Sequence, residues 1–244
     1  MNRAVEDVAP LVLKRPDRRV ALITGAGSGI GASIALAYAR LGVRVLVSDI
    51  DYALAGTVAA QIRGAGGQAV AHRCDVAAED QVATVVQRAV REFGALHFVV
   101  NNAGPNLKED PLGHWARLLN ANLLGTLLIT RHAIEAMRER GGSIVNIAAD
   151  SGLGFGAEEQ PAYAAAKAGV MRFTAALRFL QEQSGIRVNC IVPDGQIQDQ
   201  EFADSVVELS RRESFAGRVV LCRSGRPLEL VPYGDPGYQV LEPF

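Results

Sequence analysis

The sequence has only three cysteines, Cys74, Cys190 and Cys222, far apart and without metal-ligand spacing. An odd, scattered set argues against a disulfide framework, so three buried thiols in a reducing compartment are expected. Four histidines, His72, His97, His114 and His132, form no pair at ligand spacing, so no metal is expected. A basic excess is missing too: 25 Lys and Arg stand against 26 Asp and Glu, a net charge of −1. Nothing is available to neutralise a phosphate backbone, so nucleic acid is not an expected partner. No apolar run approaches the roughly eighteen residues that span a bilayer, so no membrane is expected either. The start, Met-Asn-Arg-Ala-Val-Glu-Asp, carries acids and lacks the apolar stretch of a secretory signal. These absences together predict a cytoplasmic protein.

What is present is core-forming material, with 49% hydrophobic against 21% charged residues in 244. That suffices for one large domain. There is no internal repeat and no linker. Residues 1–18, with Pro10 and Pro16, read as a leader, and 223–244, with four prolines and three glycines, as an irregular arm.

Between them, in 19–222, short apolar runs alternate with helical periodicity. Strands are predicted at 20–24, 43–48, 69–73, 98–101, 143–148, 187–192 and 218–222. Helices are predicted at 30–41, 54–64 and 79–93, as one long element over Trp115–Arg140, over Ala162–Gln183, and around Phe202, Val206 and Leu209. Asp110-Pro111 is expected to initiate the long one, and Trp115 to anchor its start. Apolar strands alternating with helices predict a parallel sheet covered on both faces. With right-handed crossovers this is a single-domain α/β Rossmann-like doubly wound sheet of about seven strands.

The first predicted strand runs into Thr24-Gly25-Ala26-Gly27-Ser28-Gly29-Ile30-Gly31, which opens the first helix. Glycines there let the backbone approach a pyrophosphate, whose charge meets the free N–H groups of the helix start. Asp49 closes the second strand. A carboxylate there accepts hydrogen bonds from the ribose hydroxyls and repels a 2′-phosphate, which argues for NAD over NADP. Ser28 agrees, since a basic residue in the turn would favour the extra phosphate. No basic residue is expected close to Asp49, so its removal should gain little affinity for NADP.

On these motifs the chain resembles the short-chain dehydrogenase/reductase family from about Arg19 to Cys222. Thr24-Gly25-x3-Gly29-Ile30-Gly31 matches the family's cofactor turn, and Asp75-Val76 the pair that contacts adenine. Asn101-Asn102-Ala103-Gly104 matches the segment after the fourth strand, with Asn102, Ala103 and Gly104 assigned to the cofactor. Asn122 matches the helix asparagine that holds a water for proton relay. Tyr163-x3-Lys167 matches the catalytic pair, which also meets the cofactor, and Pro193 the cofactor contact after the sixth strand. The resemblance implies an NAD-dependent oxidoreductase acting on a secondary alcohol or its ketone. It also implies a homodimer or homotetramer assembled through the long helices. Tyr163 would exchange the proton, and Lys167, one helical turn away, would draw the phenol's pKa down from about 10.

The chain departs from the family on the substrate side. The family's serine follows the fifth strand, and here the segment reads Asn146-Ile147-Ala148-Ala149-Asp150-Ser151-Gly152. Aligned on Asn146 and Gly152, the serine position is Ala149; counted back from Tyr163, it is Asp150. Asp150 or Ser151 could supply the missing contact, although an ionised Asp150 would repel an alkoxide. Ser151 could equally just start a turn with Gly152. Losing an orienting donor costs roughly a hundred- to thousandfold in rate. After Pro193 the chain enters its next helix without the family's lid, so the pocket is open or otherwise covered. Tyr233, Tyr238 and Phe244 on the arm could cover a neighbouring subunit's cleft, or the arm could lie along its own sheet edge. A second reading follows: an NAD-binding protein of this fold whose activity is lost or non-redox, kept for binding, scaffolding or tailoring.

Overall fold

The computed structural model describes residues 18–105, 114–155 and 160–232. Asp110-Pro111, most of the leader, and Tyr233, Tyr238 and Phe244 lie outside these residues.

Eight strands form one sheet in the order β3-β2-β1-β4-β5-β6-β7-β8. They are β1 (Val20–Thr24), β2 (Arg44–Asp49), β3 (Ala69–Arg73), β4 (Phe98–Asn101), β5 (Gly142–Ile147), β6 (Ile186–Pro193), β7 (Val219–Cys222) and β8 (Glu229–Leu230). The first seven are parallel, and β8 returns antiparallel on β7. The helices are α1 (Gly29–Arg40), α2 (Tyr52–Gly64), α3 (Glu79–Phe93), α4 (Trp115–Leu119), α5 (Gly125–Met137), α6 (Pro161–Ala176), α7 (Leu180–Ser184) and α8 (Asp199–Arg211).

Strand periodicity divides the core between the two faces. Ala21 and Ile23 of β1, with Val45 and Val47 of β2, pack against Ile34 and Tyr38 of α1, Ile62 of α2 and Phe202 and Val206 of α8. The alternate residues, Val20, Leu22 and Leu46, join Val82 and Val85 of α3 and Ile129 and Met137 of α5 on the other face. Side chains buried on both faces explain why the strands read as continuous apolar runs. The three cysteines are free and buried, and burial pushes the Cys74 and Cys190 thiols up to about 12. Among the described residues, no helix is long and apolar enough to cross a membrane.

Two helix expectations are corrected, and the first part of the arm takes a definite course. The arm is irregular over 223–228 and then adds a strand, in which β8 pairs Leu230 with Val220 and Glu229 with Leu221. Arg223 Nη1 pairs with Glu229 at 3.0 Å, and Glu201 of α8 accepts from Ser224 Oγ at 2.8 Å. This stretch therefore lies on its own sheet edge. The long element from Trp115 is not one α-helix, since a π-helical turn, Asn120–Leu124, separates α4 from α5. Asn122 Nδ2 donates to Leu118 O at 3.1 Å, taking the i−4 carbonyl that an α-helix reserves for the backbone amide. Thr126 Oγ1 likewise donates to Asn122 O, and the Gly125 amide reaches back to Asn120 O. The element over Ala162–Gln183 is also divided, by a 3-10 turn at Leu177–Phe179.

A buried polar chain crosses β4 and β5. Asn101 Nδ2 donates to Asn146 Oδ1 (2.8 Å) and Thr130 Oγ1 (3.0 Å), while Asn146 Nδ2 donates to Thr174 Oγ1 (2.9 Å). It ties α5 and α6 to the sheet centre. Asn146→Ala removes both an acceptor and a donor from this dry network. The expected loss is about 2 kcal/mol of unfolding free energy, read as a lower urea midpoint at unchanged slope.

Candidate active site

The sheet order reverses between β1 and β4, and their carboxyl ends open the crevice where open α/β sheets bind ligands. There Thr24 Oγ1 donates to Val100 O (3.3 Å) and accepts from the amides of Asn102 and Ala103, both at 3.1 Å. Asn102 Nδ2 donates in return to Thr24 O (3.1 Å) and Gly25 O (3.0 Å). Asn102 thus shapes the glycine turn from behind. A Cβ at Gly31 would stand 2.0 Å from Gly25 O, and one at Gly25, at φ +61°, 2.8 Å from Ala103 Cα. Only glycine lets the turn close this tightly. Exposed Ser28 caps α1 without a side-chain cap bond among the described residues, so its hydroxyl is available to a phosphate, as are the first amides of α1 around Gly29, Ile30 and Gly31. The cradle fits a dinucleotide pyrophosphate.

Asp49 is more than a strand-end turn acid. Its Oδ1 accepts the local amide of Asp51 at 3.0 Å, and its Oδ2 accepts the Gly27 amide, 22 positions away, at 2.8 Å. The carboxylate is thereby aimed at the turn, where a ribose edge would lie. Asp75 Oδ1 accepts from the Ala77 amide at 3.0 Å, and buried Val76 packs where a Cβ on Gly125 would be, 2.6 Å from Val76 Cγ2. The expectation of no basic residue near Asp49 is overturned. Arg73 of β3 is in register with Asp49, and its Nε donates to Ile50 O at 3.2 Å.

Tyr163 and Lys167 share one face of α6, with Lys167 Nζ 5.4 Å from the tyrosine ring centroid. Lys167 is only 4% exposed and donates to Ile147 O at 3.1 Å. Burial lowers its ammonium to about 8. The expected depression of the tyrosine does not occur: burial, then the charge of Asp150, pushes Tyr163 up to about 12. The phenol therefore keeps its proton at neutral pH. Asn122 is fully buried and its Nδ2 donates to Pro105 O at 3.0 Å. Its Oδ1 lies against Gly104, 2.1 Å from where a Cβ would stand, and has no partner among the described residues.

Asp150 opens a 3-10 turn, Asp150–Leu153, and its Oδ1 accepts the Ser151 amide at 2.8 Å. The Asp150 charge raises Tyr163, and Asp150 Oδ2 lies beside Gly195, 3.7 Å from where a Cβ would stand. Ser151 instead lines a cavity of about 670 Å³ with Leu153, Ala164, Ala168 and Val231, which includes neither Tyr163 nor Lys167. Beyond Pro193, Asp194 Oδ1 accepts the amides of Gln196 and Ile197, and the chain enters α8 directly. Sequence reasoning assigned no role to the Thr24 hydroxyl, the Asn101–Asn146 chain or Arg73. The first two carry a weak signal, a polar residue inside an apolar strand; Arg73 carries none. Among the described residues no metal-binding group of three His, Cys, Asp or Glu occurs.

The profile of the short chain dehydrogenase family matches residues 19–202. Cis-4-hydroxycyclohexanecarboxylate dehydrogenase of Sinomonas cyclohexanicum is 37% identical over 218 residues, covering 87% of this chain and 86% of that one. Cyclohexanol dehydrogenase of Acinetobacter sp. (strain SE19) is 39% identical over 183 residues, 72% of each. Among solved structures, a short chain dehydrogenase from Mycobacterium avium superposes with a TM-score of 0.81 at 30% identity, covering 91% of this chain and 89% of the other.

The turn geometry sets one expectation. Gly31→Ala forces its methyl into Gly25 O and Asn102 Nδ2, an overpacking cost of about 1–3 kcal/mol at the cradle. Calorimetric titration with dinucleotide should show affinity reduced roughly ten- to hundredfold, with the circular dichroism spectrum retained.

Proposed function

The chain belongs to the short-chain dehydrogenase/reductase family, and we propose that it is an NAD-dependent oxidoreductase interconverting a secondary alcohol and its ketone. The observation that carries this reading is a protonated, half-buried phenol over a buried ammonium, beside a glycine cradle shaped for a dinucleotide. The relatives named for cyclohexanol and hydroxycyclohexanecarboxylate oxidation make a cyclic alcohol the substrate class to test first. The carboxylate of Asp49 favours NAD. A homodimer or homotetramer and a cytoplasmic setting complete the reading.

When bound, the nicotinamide supplies hydride exchange with the carbinol carbon. The protein has the proton to manage. Tyr163 donates it to the carbonyl oxygen in reduction and accepts it from the alcohol in oxidation. Lys167, held by Ile147 O, supplies positive charge beneath the ring, and its lowered pKa lets it pass a proton near neutral pH. The unpartnered Oδ1 of Asn122 suits a water that continues the relay. Asp150 substitutes for the serine in position but not in charge: it holds Tyr163 in the protonated form that donates. Ser151, which lines the cavity shared with Leu153 and Val231, is the weaker candidate.

The alternative, a dinucleotide-binding protein without redox chemistry, draws on the missing serine and the direct entry into α8. Single-turnover hydride transfer against a panel including cyclohexanol and cyclohexanone separates the two. Tight NAD binding with no transfer on any substrate of the panel would favour the alternative. Tyr163→Phe should abolish transfer, by at least about a hundredfold, while NAD affinity stays within a small factor; retained turnover removes Tyr163 as proton carrier.

The electrostatics predict a pH effect of defined sign. Asp150→Asn deletes a negative charge that raises Tyr163, so the phenol's pKa falls from about 12. The alkaline rise of alcohol oxidation should then move toward neutral pH by roughly half to one unit. An unmoved or more alkaline profile would show that Asp150 does not act on Tyr163.

A further inference from the structure

The ribose end of the cradle holds two opposite charges that the linear sequence keeps 24 positions apart. In the parallel pair β2–β3, Asp49 is in register with Arg73, so both side chains leave the same face of the sheet at its carboxyl edge. Arg73 is exposed, and its Nε donates to Ile50 O at 3.2 Å, which holds the guanidinium over the end of β2, one residue beyond Asp49. Asp49 is committed differently, with Oδ2 on the Gly27 amide and Oδ1 on the Asp51 amide. The remaining carboxylates of this edge are occupied locally: Asp51 accepts the amides of Ala53 and Leu54, and Asp75 that of Ala77.

We propose that Arg73 is a latent ligand for the 2′-phosphate of NADP, and that the single charge of Asp49 withholds it. The inference rests on the dinucleotide reading above and deepens it. A planar guanidinium with further N–H groups beyond its bond to Ile50 O is the side chain suited to a terminal phosphate. Asp49, clamped on two backbone amides, cannot swing aside to relieve the repulsion of a phosphate dianion. Removing its charge leaves a positive site already in place. Cofactor choice then depends on one carboxylate, and no basic residue needs to be added to the glycine turn.

The test is calorimetric titration of NAD, NADP and 2′,5′-ADP into the full chain and its variants, so the readout is binding and not turnover. Asp49→Asn removes the charge while keeping an oxygen to accept the Gly27 amide; Asp49→Ser provides a second variant should the first fold poorly. The expected result is a gain of roughly ten- to hundredfold for NADP and 2′,5′-ADP over the unmodified protein. Adding Arg73→Gln should lower the NADP-to-NAD affinity ratio about tenfold, and Arg73→Lys in the same background should restore part of it. A charge-assisted contact also predicts that the gained affinity weakens as salt is raised. No gain on removing Asp49, an equal gain with Arg73 replaced, or tight NADP binding by the unmodified protein would each overturn the proposal. Failure to bind any of the three ligands would overturn the dinucleotide reading itself, whereas tight NAD binding without the gain sinks the Arg73 assignment alone.

Discussion

The clasp between Thr24 and Asn102 is the constraint on which the functional half of the molecule depends. One hydroxyl and one carboxamide join the end of β1 to the segment after β4 through five hydrogen bonds, counting the Thr24 bond to Val100 O. Those strands flank the point where the sheet order reverses, so the same bonds that close the crevice also shape the glycine turn. Gly25 and Gly31 follow from it. With Asn102 drawn against Gly25 O, no room remains for a side chain at either position. The end of β2 is then fixed relative to the turn by Asp49, whose bond to Gly27 spans from β2 to the loop after β1.

The Tyr163–Lys167 pair is governed by burial more than by pairing. Desolvation is the largest influence on both Tyr163 and Lys167, and it favours the neutral form of each. The result is a phenol that holds its proton firmly and an ammonium that can release one near neutral pH. Asp150 adds to the first effect, which gives this site an electrostatic bias that a neutral serine would not impose. The buried chain from Asn101 through Asn146 to Thr174 anchors α6 to the sheet.

Much of the fold was legible because it rests on local periodicity. The predicted strands at 20–24, 69–73 and 98–101 coincide with β1, β3 and β4, and the helix at 79–93 with α3, ending at left-handed Gly94. The misreadings fall where side chains compete with the backbone or where pairing is non-local. The π-helical turn arises because Asn122 and Thr126 take carbonyls that the helix would otherwise use, which an apolar-face count does not register. The strand β8 is two residues long, too short for a periodic signal, and exists because β7 offers it an edge.

The sequence by itself determined the layered α/β architecture, the glycine turn, the Asp49 carboxylate and the Tyr163–Lys167 spacing, since each is a short-range pattern whose physics acts within a few residues. Only the tertiary structure decided how the groups of the loop after β5 are disposed. Asp150 Oδ1 accepts the Ser151 amide while Ser151 lines a cavity beside α6, because a 3-10 turn rotates adjacent residues to different sides. Tertiary structure alone also placed Arg73 beside Asp49 and raised the tyrosine pKa. Strand register and burial are properties of the packed chain, where residues distant in sequence share a face and water is excluded from both.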